Sequence, residues 1–209
     1  MIFDYQNDVK DLQMYPDKHF DVTIADTRAA RRMFDENNPA DCVDEFIRIT
    51  SEDGFVYVLG HAEFLSKVST LFPIYAQKWL IWSVEDAQED PGLAFWQDTH
   101  YTIVSFWKHN RTRPALLVDQ IREPYTESYK KAAGKKRAAT AGRFGEGKET
   151  VYKAHEKGAL PRDVLKIPYG ERTVSPYGVS RIPDELRDRL VASCVKEGKE
   201  DAKGLLLWY

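Results

Sequence analysis

The run from Phe20 to Asp26, FDVTIAD, constrains this chain most, because it is rich in β-branched and apolar residues and ends on an acid. A polar stretch follows, and then a segment from Asp41 to Ile49 with Val43, Phe46, Ile47 and Ile49 as its apolar positions, so the unit reads strand, loop, helix. The turn Ser51-Glu52-Asp53-Gly54 releases a second apolar run, Phe55 to Leu59, and a helix carrying Phe64, Leu65, Val68 and Leu71 comes after it. Short apolar runs alternating with helices call for a largely parallel sheet buried on both faces. Two further runs, Trp79 to Val84 and Tyr101 to Trp107, are separated by a polar stretch containing Pro91-Gly92 and read as a hairpin-like pair closing that half.

After Arg111 the texture changes. From Tyr125 to Lys157 the chain is rich in Lys, Arg, Gly and Ala and poor in large apolar residues, which reads as a flexible loop or arm. Order is expected to return at Pro161 to Pro168. A helix from Pro183 to about Lys196 then follows, with Pro183 in its first turn and Leu186, Leu190, Val191, Cys194 and Val195 as its buried stripe. The last residues, Gly204 to Tyr209, make sense as a final strand inserted in the sheet. With 209 residues and 43% hydrophobic content, a single domain over 1–209 is expected, with the basic arm at about 125–157 as its one departure.

The charge balance decides what partners need. Thirty basic against 33 acidic residues leave −3, so an anionic partner has to meet a local patch, not the whole surface. The arm supplies one in Lys130, Lys131, Lys135, Lys136, Arg137, Arg143 and Lys148, suited to phosphate contacts without sequence readout. The competing reading is a solvated loop. Gly142, Gly145 and Gly147 add flexibility, but their spacing matches no phosphate-binding loop. Cys42 and Cys194, far apart and without neighbouring ligands, read as core thiols and imply neither disulfide nor metal. No apolar run is long enough to span a membrane, and a cytoplasmic protein is expected.

Five segments resemble the DNA adenine-N6/cytosine-N4 methyltransferases whose catalytic half precedes the cofactor half. Asp17 to Asp26 looks like their catalytic strand, and Glu45 to Val58 like the next helix, turn and strand. His100 to Lys108 looks like the strand after these, and Gly158 to Pro168, GALPRDVLKIP, is similar to the family's GxxPxDVWxIP segment, the most specific of the matches. Pro183 to Gly198 resembles the helix that leads to the cofactor-binding strand. The resemblance implies an α/β, Rossmann-like methyltransferase fold with a mostly parallel sheet and a reduced cofactor half, with S-adenosylmethionine and DNA as the family's ligands.

Two departures shape the functional expectation. In the family the strand-end acid is followed by Pro-Pro-Tyr, whose aromatic stacks on the flipped base. Here Asp26 is followed by Thr27-Arg28-Ala29, so Asp26 is a catalytic remnant without a stacking ring, and Arg28 brings a charge beside the cofactor's sulfonium. The family's terminal strand also continues into a glycine loop that approaches the cofactor, whereas this sequence ends at Trp208-Tyr209. The expectation is therefore a non-catalytic homologue, of a kind a phage genome could carry, with no cofactor-binding residues assigned. It binds DNA through Arg28 and the arm, or partners an intact methyltransferase, with an open sheet edge favouring a homodimer.

Two alternatives stand beside it. One is an active divergent enzyme that uses S-adenosylmethionine with Asp26 orienting an amine, or that runs another reaction in the old pocket. The other is a protein-interaction module acting on a host methyltransferase. At the level of single residues, Asp26 either retains a polar site or is structural, capping the next helix or pairing with Arg28, Arg31 or Arg32. Trp79, Trp82 and Trp107 read as core, Trp96 as the tryptophan to test for stacking, and His61 as structural.

Overall fold

The computed structural model describes residues 1–6, 9–28, 39–70, 77–85, 96–97, 99–108, 114–137, 150–151, 153–170 and 181–208. They form two compact units, Met1–Leu117 with Arg162–Tyr209, and Val118–Pro161.

The first unit is built on seven strands: β1 (Ile2–Gln6), β2 (Phe20–Asp26), β3 (Thr50–Gly60), β4 (Gln77–Ser83), β5 (His100–Phe106), β8 (Val164–Lys166) and β9 (Lys203–Trp208). Their order across the sheet is β1-β9-β2-β3-β5-β4-β8. β1, β9, β2 and β3 run parallel, β5 is antiparallel to both β3 and β4, and β8 returns parallel to β4. The mostly parallel sheet, the antiparallel β4–β5 pair and the inserted terminal strand all follow the sequence pattern.

Helices cover both faces. On one side α1 (Pro39–Ile49) and α2 (Ala62–Ser69) deliver Cys42, Val43, Phe46, Ile49, Leu65 and Val68 onto Val56, Val58, Val104, Leu205 and Leu207. On the other, α4 (Asp184–Ala192) places Leu186 and Leu190 against Val22, Ile24, Tyr57, Ile103 and Leu206. Period-two alternation divides each strand between two apolar layers, which is why β2 reads as a continuous apolar run. Each fully buried aliphatic side chain contributes about 1.5–3 kcal/mol relative to exposure, so these layers dominate the stability of the unit.

Four buried hydroxyls and one buried indole are paired. Thr23 and Thr50 share a hydroxyl hydrogen bond of 2.7 Å, and Thr50 donates onward to the Phe46 carbonyl at 2.6 Å. Tyr57 and Ser193 hydroxyls meet at 2.5 Å, and the Trp82 indole donates to the Ile167 carbonyl at 2.8 Å.

The terminal helix differs from its expected span. It ends at Ala192 instead of about Lys196, and Pro183 sits just before its first turn as the N-cap. The reason lies at Ser193, whose hydroxyl donates to the Leu190 carbonyl at 2.5 Å while its own carbonyl accepts from the Leu117 N–H at 2.8 Å, fixing the exit of the chain.

The second unit opens on a 3-10 turn, Val118–Gln120, and is closed by reciprocal backbone hydrogen bonds between Glu123 and Ala159 at 3.0 and 2.8 Å. It contains α3 (Glu127–Ala132) and an antiparallel ladder of β6 (Lys136–Arg137) with β7 (Thr150–Val151). The interval read from sequence as a loop thus holds a short helix, capped by the Thr126 hydroxyl accepting from the Tyr129 N–H at 3.4 Å. Gly158 has φ +107°, a backbone conformation that favours glycine.

Candidate functional site

β2 delivers Asp26 to the C-terminal end of the parallel strands, the end where open α/β sheets bind ligands. The chain turns there. The Thr27 N–H donates to the Leu59 carbonyl at 2.8 Å and the Thr27 hydroxyl to the same oxygen at 2.5 Å, tying the exit of β2 to β3. Close to this turn, Gly60 leaves room that a side chain would take, since a Cβ there would lie 2.5 Å from Thr27 Oγ1.

This tether turns Arg28 back over the strand end. Its Nε donates to Asp26 Oδ1 at 2.8 Å, its Nη2 to Asp26 Oδ2 at 2.6 Å, and its backbone N–H to Oδ1 at 3.2 Å. The side chains are 1% and 2% exposed, so both carboxylate oxygens are engaged out of reach of water.

Three aromatic rings enclose the guanidinium. Its carbon lies 5.3 Å from the Trp82 ring centre, 4.8 Å from that of Tyr101 and 5.6 Å from that of Tyr169, and Nη1 also donates to the Tyr169 hydroxyl. The rings support one another: Trp82 is 4.9 Å from Tyr169 at 61° and 5.3 Å from Tyr101 at 37°, with His61 edge-on to Tyr101 at 5.9 Å. Burial works against the Arg28 charge, but the Asp26 hydrogen bonds and charge outweigh it and hold the guanidinium above its usual range. Burial likewise pushes the Tyr169 phenol well above its usual range, with Arg28 pulling the other way.

The structure therefore separates the residues expected to act together. Arg28, expected at a phosphate, is buried and committed to Asp26, one of the two fates the sequence left open for that acid. Lys130, Lys131 and Lys135 are exposed on the second unit, and Lys136 and Arg137 form β6. Arg31, Arg32, Arg143 and Lys148 lie outside the described residues. Trp82 and Trp107 are core, while Trp79 is 37% exposed and Trp96 is 85% exposed.

The cage was not read from sequence, where Trp82 had only a core role and Tyr101 and Tyr169 none. The available signal was Tyr169 itself, an aromatic directly after the GALPRDVLKIP segment.

No family model matches the sequence, and no curated protein matches it by sequence. Solved structures do match. The PvuII DNA methyltransferase, cytosine-N4-specific, aligns over 98% of this chain and 80% of its own with a TM-score of 0.56 at 9% identity. The chain has a DNA methyltransferase fold. The M1.HpyAVI–SAM complex aligns over 100% of this chain and 93% of its own, with a TM-score of 0.48 at 8% identity. In that fold the Asp26–Arg28 pair lies at the C-terminal end of β2.

Among the described residues no group of three or more His, Cys, Asp or Glu is placed to hold a metal ion. Among them, too, no helix is long and apolar enough to cross a membrane.

Proposed function

We propose that this chain is a methyltransferase-fold protein that does not transfer methyl groups and that engages DNA through the basic face of its second unit. The observation that carries the first half is the closed Asp26–Arg28 pair. An amine to be methylated needs a carboxylate oxygen to accept its hydrogen bond, and Asp26 already accepts three from Arg28, two on Oδ1 and one on Oδ2, inside a pair no more than 2% exposed. A methyl donor brings a sulfonium, and Asp26, its charge offset by the Arg28 guanidinium, no longer offers that cation an uncompensated carboxylate. The residues present therefore do not fit S-adenosylmethionine beside Asp26.

The second half rests on charge distribution. Residues 118–161 carry ten basic and six acidic side chains, net +4, so the remainder of the chain, at −3 overall, carries −7. The methyltransferase named among the structural matches acts on DNA by its description, which gives this polarity a partner of opposite charge.

The test has two arms. Calorimetric titration of S-adenosylmethionine into the protein, alone and with duplex DNA, is expected to give no binding heat, and labelled methyl transfer to DNA no incorporation. Fluorescence anisotropy with labelled DNA is expected to show binding that weakens steeply with salt and drops when Lys130, Lys131 and Lys135 are changed together to Ala. Micromolar cofactor binding with methyl incorporation overturns the first half. DNA affinity indifferent to the lysines overturns the second.

A further inference from the structure

Within the second unit, Tyr125 and Tyr129 lie face to face, ring centres 4.1 Å apart and planes 5° from parallel. They stand four residues apart across the Thr126 cap, so the start of α3 places them on one side. The Tyr125 hydroxyl accepts a hydrogen bond from the His155 N–H at 2.8 Å, anchoring the first ring to the returning chain. No residue of α3 is buried, so this aromatic pair is not the core of the unit. Six residues make a helix too short to hold itself by backbone hydrogen bonds alone. Exposed Lys130, Lys131 and Lys135 follow directly on Tyr129.

A half-buried parallel aromatic stack, flanked by exposed Lys131 and Lys135 and by Lys130 in its ion pair with Glu127 at 2.8 Å, has the composition that holds unstacked bases. The rings meet base faces and the ammonium groups meet the phosphates between them. In a duplex the base faces are covered by their neighbours, so such a platform gains nothing from double-stranded DNA beyond charge. We propose that the Tyr125–Tyr129 stack with Lys130, Lys131 and Lys135 is a binding platform for single-stranded DNA. The inference rests on the proposed DNA engagement of this unit and specifies which form of DNA it prefers.

The experiment measures anisotropy of the full chain with a labelled 20-nucleotide oligothymidine and with a duplex of equal length. The wild type is expected to bind the single strand more tightly. Tyr129→Ala is expected to cost roughly tenfold on the single strand, with duplex affinity nearly unchanged. Tyr129→Phe keeps the ring and should retain the affinity. Changing the three lysines to Ala should weaken both ligands and lower the salt slope on the single strand by about 2.

Each outcome bears on one of the two readings. If Tyr129→Ala weakens single strand and duplex equally, the tyrosines serve only the helix start and the platform is refuted, while DNA engagement stands. Equal wild-type affinity for both ligands also refutes the platform. Tighter binding of an oligouridine RNA than of oligothymidine replaces DNA with RNA as the partner. Absence of binding to every nucleic acid removes both readings together.

Discussion

Asp26 and Arg28 stand two residues apart and close on each other through two side-chain hydrogen bonds of 2.6 and 2.8 Å, with neither side chain more than 2% exposed. A pair so placed has had both charges taken out of water, so its attraction is largely spent on offsetting desolvation. What it fixes is arrangement: the acid at the strand end has one partner, and that partner comes from its own chain.

The first prediction separates these effects. Asp26→Asn leaves a buried guanidinium without its counter-charge, and Arg28→Met leaves a buried carboxylate. Each is expected to cost about 3–5 kcal/mol. Replacing both by Leu removes both desolvation costs and should recover most of that loss. Urea denaturation of the four proteins compares these losses, and single variants within 1 kcal/mol of wild type, on the order of a surface pair, would show that water reaches the site.

A second prediction concerns the way the chain enters β2. Arg48, at the end of α1, donates to the Leu12 and Tyr15 carbonyls at 3.1 and 2.9 Å, to Asp17 at 2.8 Å and to Glu45 at 2.8 Å. The Glu45 and Asp17 hydrogen bonds hold its guanidinium above the usual range. This fork bridges four groups in directions that one ammonium cannot serve. Arg48→Lys is therefore expected to lose nearly as much stability as Arg48→Ala, about 1–3 kcal/mol, read from urea midpoints. Full retention by the lysine variant would reduce Arg48 to a point charge.

A third prediction lies at the β2–β3 junction, where the register shifts between Phe20 and Val22. A Cβ on Gly54 would lie 2.6 Å from the Asp21 carbonyl oxygen and 2.7 Å from Thr50 Cγ2. The first neighbour is backbone of a central strand and cannot swing away. Gly54→Ala should cost about 1–3 kcal/mol by overpacking, with the urea m-value unchanged. No loss would mean that the strands separate there in solution.

These features differ in how far the sequence announced them. FDVTIAD, FVYVL and GLLLW declare strands because burial on both faces leaves them largely apolar, and all three lie in the sheet. The polar-to-apolar alternation of α1 likewise declared Val43, Phe46 and Ile49 as core. The stopping point of α4 was not legible, because it depends on the Ser193 carbonyl meeting the Leu117 N–H from a distant part of the chain. The cage has the same character: Trp82, Tyr101 and Tyr169 come from separate elements, and only the assembled sheet brings them to Arg28. Asp26 could be found from its place at a strand end, whereas its fate could not, since three arginines within six residues offered equal partners.

The last prediction concerns Cys194, whose sulfur lies 3.6 and 3.5 Å from the Leu190 and Val191 carbonyl oxygens. Burial pushes its thiol up to about 12, with the Ser193 hydrogen bond pulling the other way and Asp21 adding to the rise. The thiolate is the reactive form, so native protein at pH 8 should react with a disulfide reagent far more slowly than urea-unfolded protein, in which both Cys42 and Cys194 are open. The same shift sets a pH dependence. A thiol whose folded value exceeds its unfolded value, about 8.5, binds a proton in the folded state after the unfolded chain has lost it. Its contribution to stability is complete below that value and is lost as pH rises toward 12. Cys194→Ala removes this contribution, so wild type should lose stability faster than the variant between pH 9 and the onset of alkaline unfolding. Parallel urea midpoints across that interval would assign the alkaline loss to other groups, and rapid native labelling at pH 8 would place Cys194 in contact with water.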